Sequence, residues 1–429
     1  MALSAAGAQL APVRVRRARI AVSAFFLTNG ALYANLLPRL PEVKDAFGLT
    51  NTLYGLLVVA FPLGAILVGA LPARAVRRSG SARVAALGTV LLSGCLATAG
   101  AGAGLGAGTA TGAWLFLGAM FLGGALDAHV DTAQNAQGME VQRARGRSII
   151  NSLHALWSLG AVVGGLMGTA ALALGVPLQW HLLGSGVLWS AVALVALRSA
   201  LSAAEGAQLR TVAPSGPAPG GTTTEPAADA ARVRGGGRAG GRQRSTGRIV
   251  VGLLPVAVIA MAGVMVEDVG QNWSALYLST VLGAPPAAAG LGLVALMAAQ
   301  FVGRMLGDPM TDRWGRVSVA RAGAALSAAG MLLVVLAPGP ALVITGFAVA
   351  GFGCATLVPA AYHAADDVPG LRTGTGLALV SWFMRVSFLG LPPVVGVLSD
   401  AVGLRAALAV VPAFALLAVL LAGTLRDRS

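Results

Sequence analysis

A stripe of carboxylates and amides interrupts an apolar stretch at residues 112–135. It comprises Asp127, Asp131, Gln134 and Asn135. The spacings i, i+4, i+7 and i+8 place all four on one face of a helix. A polar face of this kind is typical of a helix that lines a water-filled cavity inside a membrane. We therefore expect Asp131, and secondarily Asp127, to exchange a proton there. The alternative is that the stripe marks only the cytoplasmic mouth of the helix.

A second polar group ends the apolar stretch at 249–272, in the sequence Glu267-Asp268-Val269-Gly270-Gln271-Asn272-Trp273. Glu267 and Gln271 share one helix face, and Asp268 and Asn272 share the next. A helix that starts near residue 249 places Glu267 about 27 Å along it, at 1.5 Å per residue. We expect a cavity role for Glu267, with the periplasmic edge as the alternative. Trp273 suits either stacking on a sugar or anchoring at the membrane interface.

Four more polar residues within apolar stretches are cavity candidates: Asn29, Asn35, His154 and Arg385. Unpaired arginine is rare inside a membrane, so we expect Arg385 to pair with a carboxylate. Binding of an anionic substrate is the alternative. His154 is more typical of a hydrogen-bonded structural residue than of a proton relay.

The composition explains why these polar residues stand out. Of 429 residues, 56% are hydrophobic and 11% are charged, whereas soluble proteins carry about 25% charged residues. The 59 glycines suit membrane helices, in which small residues allow backbones to approach closely. The sequence predicts an all-α membrane protein and excludes a soluble enzyme.

Twelve stretches are long and apolar enough to cross a bilayer, which requires about 20 residues each. The first six are 19–38, 53–73, 84–106, 112–135, 149–174 and 180–198, and the second six are 249–272, 287–307, 317–337, 341–363, 374–398 and 403–425. We predict a six-helix bundle over 19–200 and a second over 248–425. Between them, 201–247 is poor in large apolar residues and predicts a disordered linker. Residues 1–18 and 426–429 are the predicted tails.

The net charge of +14 is a topology signal. With a cytoplasmic N-terminus, 26 of the 30 basic residues fall in inside segments, as the positive-inside rule requires. The sequence therefore predicts a multi-pass membrane protein with both termini and the linker inside. Binding to nucleic acid is not expected.

Several chemistries lack their residues. Lys44 is the single lysine, so the Gly-Lys-Ser/Thr of a phosphate-binding loop is absent. Cys95 and Cys354 lie in apolar stretches of opposite halves and predict neither a disulfide nor a metal site. No nucleophile–base motif is present. We expect no enzymatic activity, no cofactor and no metal.

A loop motif carries a family resemblance. Gly307, Asp312, Arg313, Gly315 and Arg316 spell G-x4-D-R-x-G-R, and this motif resembles the loop signature of the major facilitator superfamily. The twelve-span layout and the long central linker are similar to that superfamily over nearly the whole chain. The resemblance implies two pseudo-symmetric six-helix bundles, a functional monomer and a loop that locks helices on the cytoplasmic side. The first half retains Arg78, Gly80 and Arg83 but has no counterpart of Asp312.

A narrower resemblance is to the fucose-permease-type sugar–proton symporters. It rests on the Asn-rich first span, FFLTNGALYANLLPRLPEV, and on Asp131-x3-Asn135. Leu36 stands where those carriers have an aspartate. The chain more closely resembles an uncharacterised bacterial inner-membrane branch near that family.

The leading hypothesis is a secondary transporter that works by alternating access and couples protons to a small polar solute, with a sugar-like solute favoured. The first alternative is a proton-antiporting exporter of drugs or metabolites. Such exporters carry G-x3-G-P in the fifth span, and here Gly165 replaces the proline. The second alternative is a membrane sensor that signals through the linker. Expected partners are the small-molecule substrate, protons and the lipid bilayer.

Overall fold

The computed structural model describes residues 10–212, 246–366 and 375–425, and this part of the chain is helical without any strand. Eleven helices are long and apolar enough to cross a membrane. The count rises to twelve when the bent pair Asn51–Leu67 and Leu71–Ser79 is taken as one span. The predicted all-α membrane fold is confirmed.

The helices of the first half run in chain order from α1 to α10. They are α1 Pro12–Ala34, α2 Leu40–Ala46, α3 Asn51–Val58, α4 Ala60–Leu67, α5 Leu71–Ser79, α6 Ser81–Gly104, α7 Ala110–Arg145, α8 Ile150–Ala173, α9 Leu178–Leu197 and α10 Ala203–Val212. A single 3-10 turn, Leu37–Arg39, joins α1 to α2.

The second half continues from α11 to α20. Its helices are α11 Thr246–Asn272, α12 Ser274–Leu276, α13 Pro286–Ala289, α14 Leu291–Trp314, α15 Arg316–Leu336, α16 Pro340–Cys354, α17 Leu357–Asp366, α18 Thr375–Val402, α19 Leu404–Ala407 and α20 Val410–Leu421. A π-helical turn, Tyr277–Val281, follows α12, and a 3-10 turn, Ala422–Leu425, follows α20.

The chain forms two compact units. The first comprises residues 1–48 and 60–223, and the second comprises 49–59 and 224–429. The units differ from the predicted bundles because α3 packs against α18 in the second unit. There, a side chain at Gly55 would overlap the carbonyl oxygen of Pro392. Asp400 completes this contact by accepting hydrogen bonds from the backbone N–H groups at the start of α3, at 3.0 and 2.8 Å.

Glycines join α1 to α8 in the first unit. Gly160, Gly164 and Gly168 succeed one another at four-residue intervals along α8. A Cβ atom at each position would overlap a backbone carbonyl oxygen of α1 or of the turn after it. The close approach brings the backbones of α1 and α8 into contact. We call this contact the glycine seam. It determines which polar side chains of α1 and α8 lie at the same level along the two helix axes.

One part of the predicted linker is helical, which corrects the boundary set at residue 201. α10 occupies Ala203–Val212, and its start has a capping box: the N–H of Ser202 donates to Glu205 Oε2 at 2.7 Å, and the N–H of Glu205 donates to Ser202 Oγ at 3.3 Å. Leu209 packs on an apolar cluster that includes Phe26. The rest of the linker, 213–245, and the tails 1–9 and 426–429 lie outside the described residues.

The glycine seam can be tested by adding a single methyl group. Gly164→Ala should lower the stability of the protein by about 1–3 kcal/mol, because the carbonyl of Ala31 blocks the new Cβ atom. Thermal unfolding of the purified protein in detergent measures the change. Gly118→Ala on α7 is the matched control, since open space surrounds Gly118 and alanine there should leave stability equal or higher. Equal melting temperatures for the two variants would contradict the proposed seam.

Candidate functional site in the first unit and its counterpart in the second

Asn29 on α1 is the centre of a polar cluster in the first unit. Its Nδ2 donates to Asp127 Oδ1 on α7 at 2.7 Å. Its Oδ1 accepts the indole N–H of Trp157 on α8 at 2.9 Å and the amide of Gln134 on α7 at 3.3 Å. Asn29 is buried, with 5% of its surface exposed. One amide therefore joins side chains from three helices.

The second carboxylate of the stripe lies one turn further along α7. Asp131 Oδ1 accepts the amide of Asn135 at 3.0 Å and that of Gln134 at 3.4 Å. Asn135 also donates to the backbone carbonyl of Asp131 at 2.9 Å. The four stripe residues thus form one network, which Gln134 connects to Asn29.

Trp157 is part of this cluster, although sequence analysis did not single it out. The backbone carbonyl of Trp157 lies against Gly30. The backbone that carries the indole is therefore in contact with α1. Tyr33, one turn beyond Asn29, stacks on Phe61 with ring centroids 4.2 Å apart. The cluster therefore combines carboxylates and amides with a half-buried indole.

Two predicted residues of the first unit have other partners. Asn35 is fully buried, and its Oδ1 lies 3.0 Å from Nε2 of His181 on α9. His154 packs its ring edge-on against Phe26, with centroids 5.3 Å apart. Through these contacts Asn35 is joined to α9 and His154 to α1.

Glu267 is the centre of a polar cluster in the second unit. Its Oε1 accepts the amide of Gln271 at 3.1 Å, and its Oε2 accepts the amide of Gln300 on α14 at 2.9 Å. Arg304 Nη2 lies 3.6 Å from the same Oε2. Sequence analysis counted Arg304 only among the 26 basic residues on the inside, and the structure places it within α14, one turn after Gln300. Sequence analysis also missed Gln300.

Asp268 and Trp273 occupy the buried side of the same helix end. Asp268 is 2% exposed and accepts the amide of Asn272 at 2.9 Å. Trp273 is fully buried and packs edge-on against Tyr54, with centroids 5.0 Å apart. The Tyr54 hydroxyl donates to the backbone carbonyl of Asn272. Because Trp273 is completely buried, its side chain faces neither lipid nor an open cavity in this structure.

Arg385 lies half-buried on α18. Among the described residues, no carboxylate forms an ion pair with it. Arg304 is the cation beside Glu267 instead.

The motif loops of the two halves have the same backbone conformation. Gly80 has φ 84° and ψ 147°, and Gly315 has φ 79° and ψ 151°. This region strongly favours glycine, which explains why both loops retain it. Gly307 packs near Thr356. Arg78, Arg83, Asp312 and Arg313 are exposed, and Arg316 is half-buried.

A buried carboxylate lies beside the first loop, which lacks its own acid. Glu140 on α7 is 3% exposed, and its Oε2 lies 3.0 Å from Ser81 Oγ, directly after Gly80. α10 covers this carboxylate, since a Cβ atom at Gly206 would come within 2.6 Å of it. An acid from another helix thus occupies the neighbourhood of the incomplete motif.

Arg14 on α1 bonds to α10 and to the segment before it, and we call this set of bonds the Arg14 clamp. Its guanidinium donates to both carboxylate oxygens of Glu205, at 2.8 and 2.7 Å. It also donates to the carbonyls of Ser199 and Ala200 after α9, each at 2.6 Å. These bonds from Arg14, with further bonds from Ser202, lower the pKa of Glu205 from its usual 4.5 to about 2.

Metal binding finds no support in the described residues. They contain no group of three His, Cys, Asp or Glu side chains that could hold an ion. Cys95 and Cys354 are both buried and free.

Comparisons with known proteins give consistent similarities. A family model described as Major Facilitator Superfamily matches residues 250–429. An uncharacterized transporter, y4wD of Sinorhizobium fredii, is 28% identical over 410 residues, which cover 95% of this chain and 97% of the relative.

Two solved structures share the fold. A D-xylose-proton symporter superposes with a TM-score of 0.69 at 16% identity, over 96% of this chain and 97% of that chain. The Escherichia coli fucose:proton symporter FucP superposes with a TM-score of 0.55 at 17% identity, over 96% and 99%.

The Arg14 clamp can be tested by hydrogen exchange. Charge-assisted bonds contribute about 1.5–3 kcal/mol each, so Arg14→Gln should speed amide exchange in α10 by about tenfold or more. Arg17→Gln, an exposed arginine of the same helix, is the matched control. Because the folded pKa of Glu205 is depressed, the protection should persist from neutral pH to about pH 5 and disappear as the pH falls toward 2. Equal exchange in the two variants would contradict the clamp.

Proposed function

We propose that this chain is a member of the major facilitator superfamily and works as a proton-coupled symporter of a small polar solute, with a sugar-like solute favoured. The family model over residues 250–429 and the transporter that is 28% identical support the family. The observation that carries this proposal is the cluster around Asn29. A single amide there links a membrane carboxylate, Asp127, to an indole, Trp157. Proton carriage and solute recognition can therefore influence each other through one side chain.

The proton step rests on how Asp127 is held. Among the described residues its hydrogen-bond donor is the neutral amide of Asn29, and no cation forms an ion pair with it. A charge at a helix centre costs about 2.5–3.5 kcal/mol on insertion scales. Protonation removes that charge when the cavity closes. Asp127 and Asp131, joined through Asn29 and Gln134, are the proposed proton carriers.

Solute recognition rests on the mixture of groups in the cluster. Sugar hydroxyls donate and accept hydrogen bonds, and the amides of Gln134 and Asn135 can do both. The half-buried indole of Trp157 offers an apolar face for a sugar ring. Support comes from the two structural neighbours, which are symporters of xylose and fucose with protons. A lipophilic drug would gain less from this polar set.

We assign Glu267 a different part from Asp127. Arg304 lies 3.6 Å from its carboxylate and forms an ion pair with it. We infer that the Glu267 cluster binds the solute from the second unit, with Gln271, Asn272 and Arg385 as further candidate contacts. Glu267 is the reserve candidate for the proton carrier.

Topology and domain organisation complete the proposal. We place the protein in a bacterial inner membrane with both termini and the linker inside, because 26 of its 30 basic residues fall in the segments predicted to lie there. The proposed transport mechanism is alternating access. We assign the loops at Gly80 and Gly315 to the cytoplasmic gate. The protein works as a monomer.

Proton movement in proteoliposomes tests this function. The purified protein is challenged first with a panel of sugars and then with lipophilic cations, and internal pH is recorded. We expect one or more sugars to drive proton entry. Asp131→Asn and Asp127→Asn should reduce this entry to the level of empty liposomes, because an amide cannot carry the proton. Asp45→Asn, an exposed acid on α2, is the matched control and should retain transport.

Other outcomes would overturn parts of the proposal. Proton release driven by lipophilic cations would identify an exporter. Sugar-driven proton entry that survives both Asp127→Asn and Asp131→Asn would move the proton step to Glu267. Sugar uptake without proton entry would show that the protein is a uniporter for the same class of solute.

A further inference from the structure

A cavity of about 390 Å³ opens in the first unit, at the end that the arginine distribution predicts to lie outside. It lies between α2, the end of α6 and the connection from α8 to α9. The lining includes Arg39, Glu42, Ala46, Gly104, Val176 and Gln179. None of these residues belongs to the cluster around Asn29.

Arg39 is the buried cation of this cavity. Only 2% of its surface is exposed. Its Nε and Nη2 donate to Glu42 at 3.1 and 2.8 Å, and Nη2 also donates to the carbonyl of Val176 at 2.8 Å. Its Nη1 is buried without a hydrogen-bond partner among the described residues. A buried donor in this state is destabilising, so the guanidinium has capacity for one more acceptor.

Glu42 makes the cavity electrically balanced. Its side chain is 35% exposed, so the carboxylate can meet a second group while it holds Arg39. A simple anion would be attracted by Arg39 and repelled by Glu42, and a simple cation would experience the reverse. A zwitterion, with an anionic and a cationic group a few bonds apart, matches both residues.

Three exposed apolar residues are sequence neighbours of lining residues. Leu105 follows Gly104, Leu174 precedes Gly175, and Trp180 follows Gln179. They are 75%, 79% and 62% exposed, respectively. In a membrane protein such side chains face lipid, and tryptophan favours the headgroup level of the interface. A molecule with a polar head and apolar chains fits both the charged lining and these apolar neighbours.

We propose that this cavity binds the headgroup of a phosphoethanolamine lipid in the outer leaflet. The phosphate accepts hydrogen bonds from Arg39, and the primary ammonium donates to Glu42. The acyl chains lie along Leu105, Leu174 and Trp180. A choline headgroup carries no N–H for Glu42, and a glycerol headgroup leaves a net anion beside it. This site is separate from the proposed transport site and does not depend on the transported solute.

Lipid retention by the full-length protein tests the site. Native mass spectrometry is performed on detergent-purified protein with equal amounts of dioleoyl phosphatidylethanolamine, phosphatidylcholine or phosphatidylglycerol. We expect the ethanolamine lipid to bind at least about tenfold more tightly than the other two, because it alone makes a charge-assisted bond to Glu42. Glu42→Gln should remove this preference. Asp45→Asn, which removes the same charge from the exposed face of α2, should retain it.

A second variant protects the test against misfolding, because Glu42→Gln leaves Arg39 buried without its carboxylate. Ala46→Trp fills the cavity and leaves both charges in place, and it should also abolish the preference at an unchanged melting temperature. Equal retention of the three lipids, or a preference that survives both variants, would overturn the proposal. Free glycerophosphoethanolamine that competes as well as the lipid would also overturn it, by identifying a site for soluble zwitterions.

Discussion

A polar group that enters the hydrocarbon core of a membrane must find its hydrogen-bond partner within the protein. This constraint explains why the polar residues of this chain occur in clusters that cross between helices. Asn29 reaches α7 and α8 at once, and Glu267 reaches α14. The glycines of α8 make the first arrangement possible, because they allow the α1 backbone to approach until the amide of Asn29 meets the indole of Trp157.

The two units satisfy the same constraint by different chemistry. In the first unit Asp127 is held by a neutral amide, whereas in the second unit Glu267 lies beside the cation of Arg304. A carboxylate with a neutral partner can be protonated without leaving an unpaired cation behind. A carboxylate with a cationic partner leaves that cation unpaired when it is protonated. This contrast is the reason that we propose the proton step for the first unit and charge-based contacts for the second.

The periodicity of the sequence predicts which residues of a single helix share a face. The four stripe residues of α7 share a face because their spacing follows 3.6 residues per turn, and the structure joins them in one hydrogen-bonded network. The same rule separates Asn29 from Asn35, because six residues turn the helix by about 240°. The sequence analysis nevertheless grouped these two residues together. Asn35 pairs with His181 instead.

The contacts between helices could not be predicted from the sequence. Trp157 carries no polar pattern of its own, and its part in the cluster depends on the backbone approach at Gly30. Arg304 was counted only as an inside charge, because composition does not reveal which carboxylate an arginine side chain can reach. α10 was hidden by the polar tract that follows it, although Ser202-x-x-Glu205 is a recognisable capping box.

The central claim is that the carboxylates around Asn29 exchange a proton when the solute binds. The most direct measurement is the proton count on solute binding, with purified protein in a weakly buffered solution and a pH indicator. A sugar that drives transport should change the pH for the wild-type protein and should bind without a pH change in the Asp127→Asn, Asp131→Asn double variant. A sugar that binds the wild-type protein with no proton exchange, or with the same exchange in the double variant, would contradict the account.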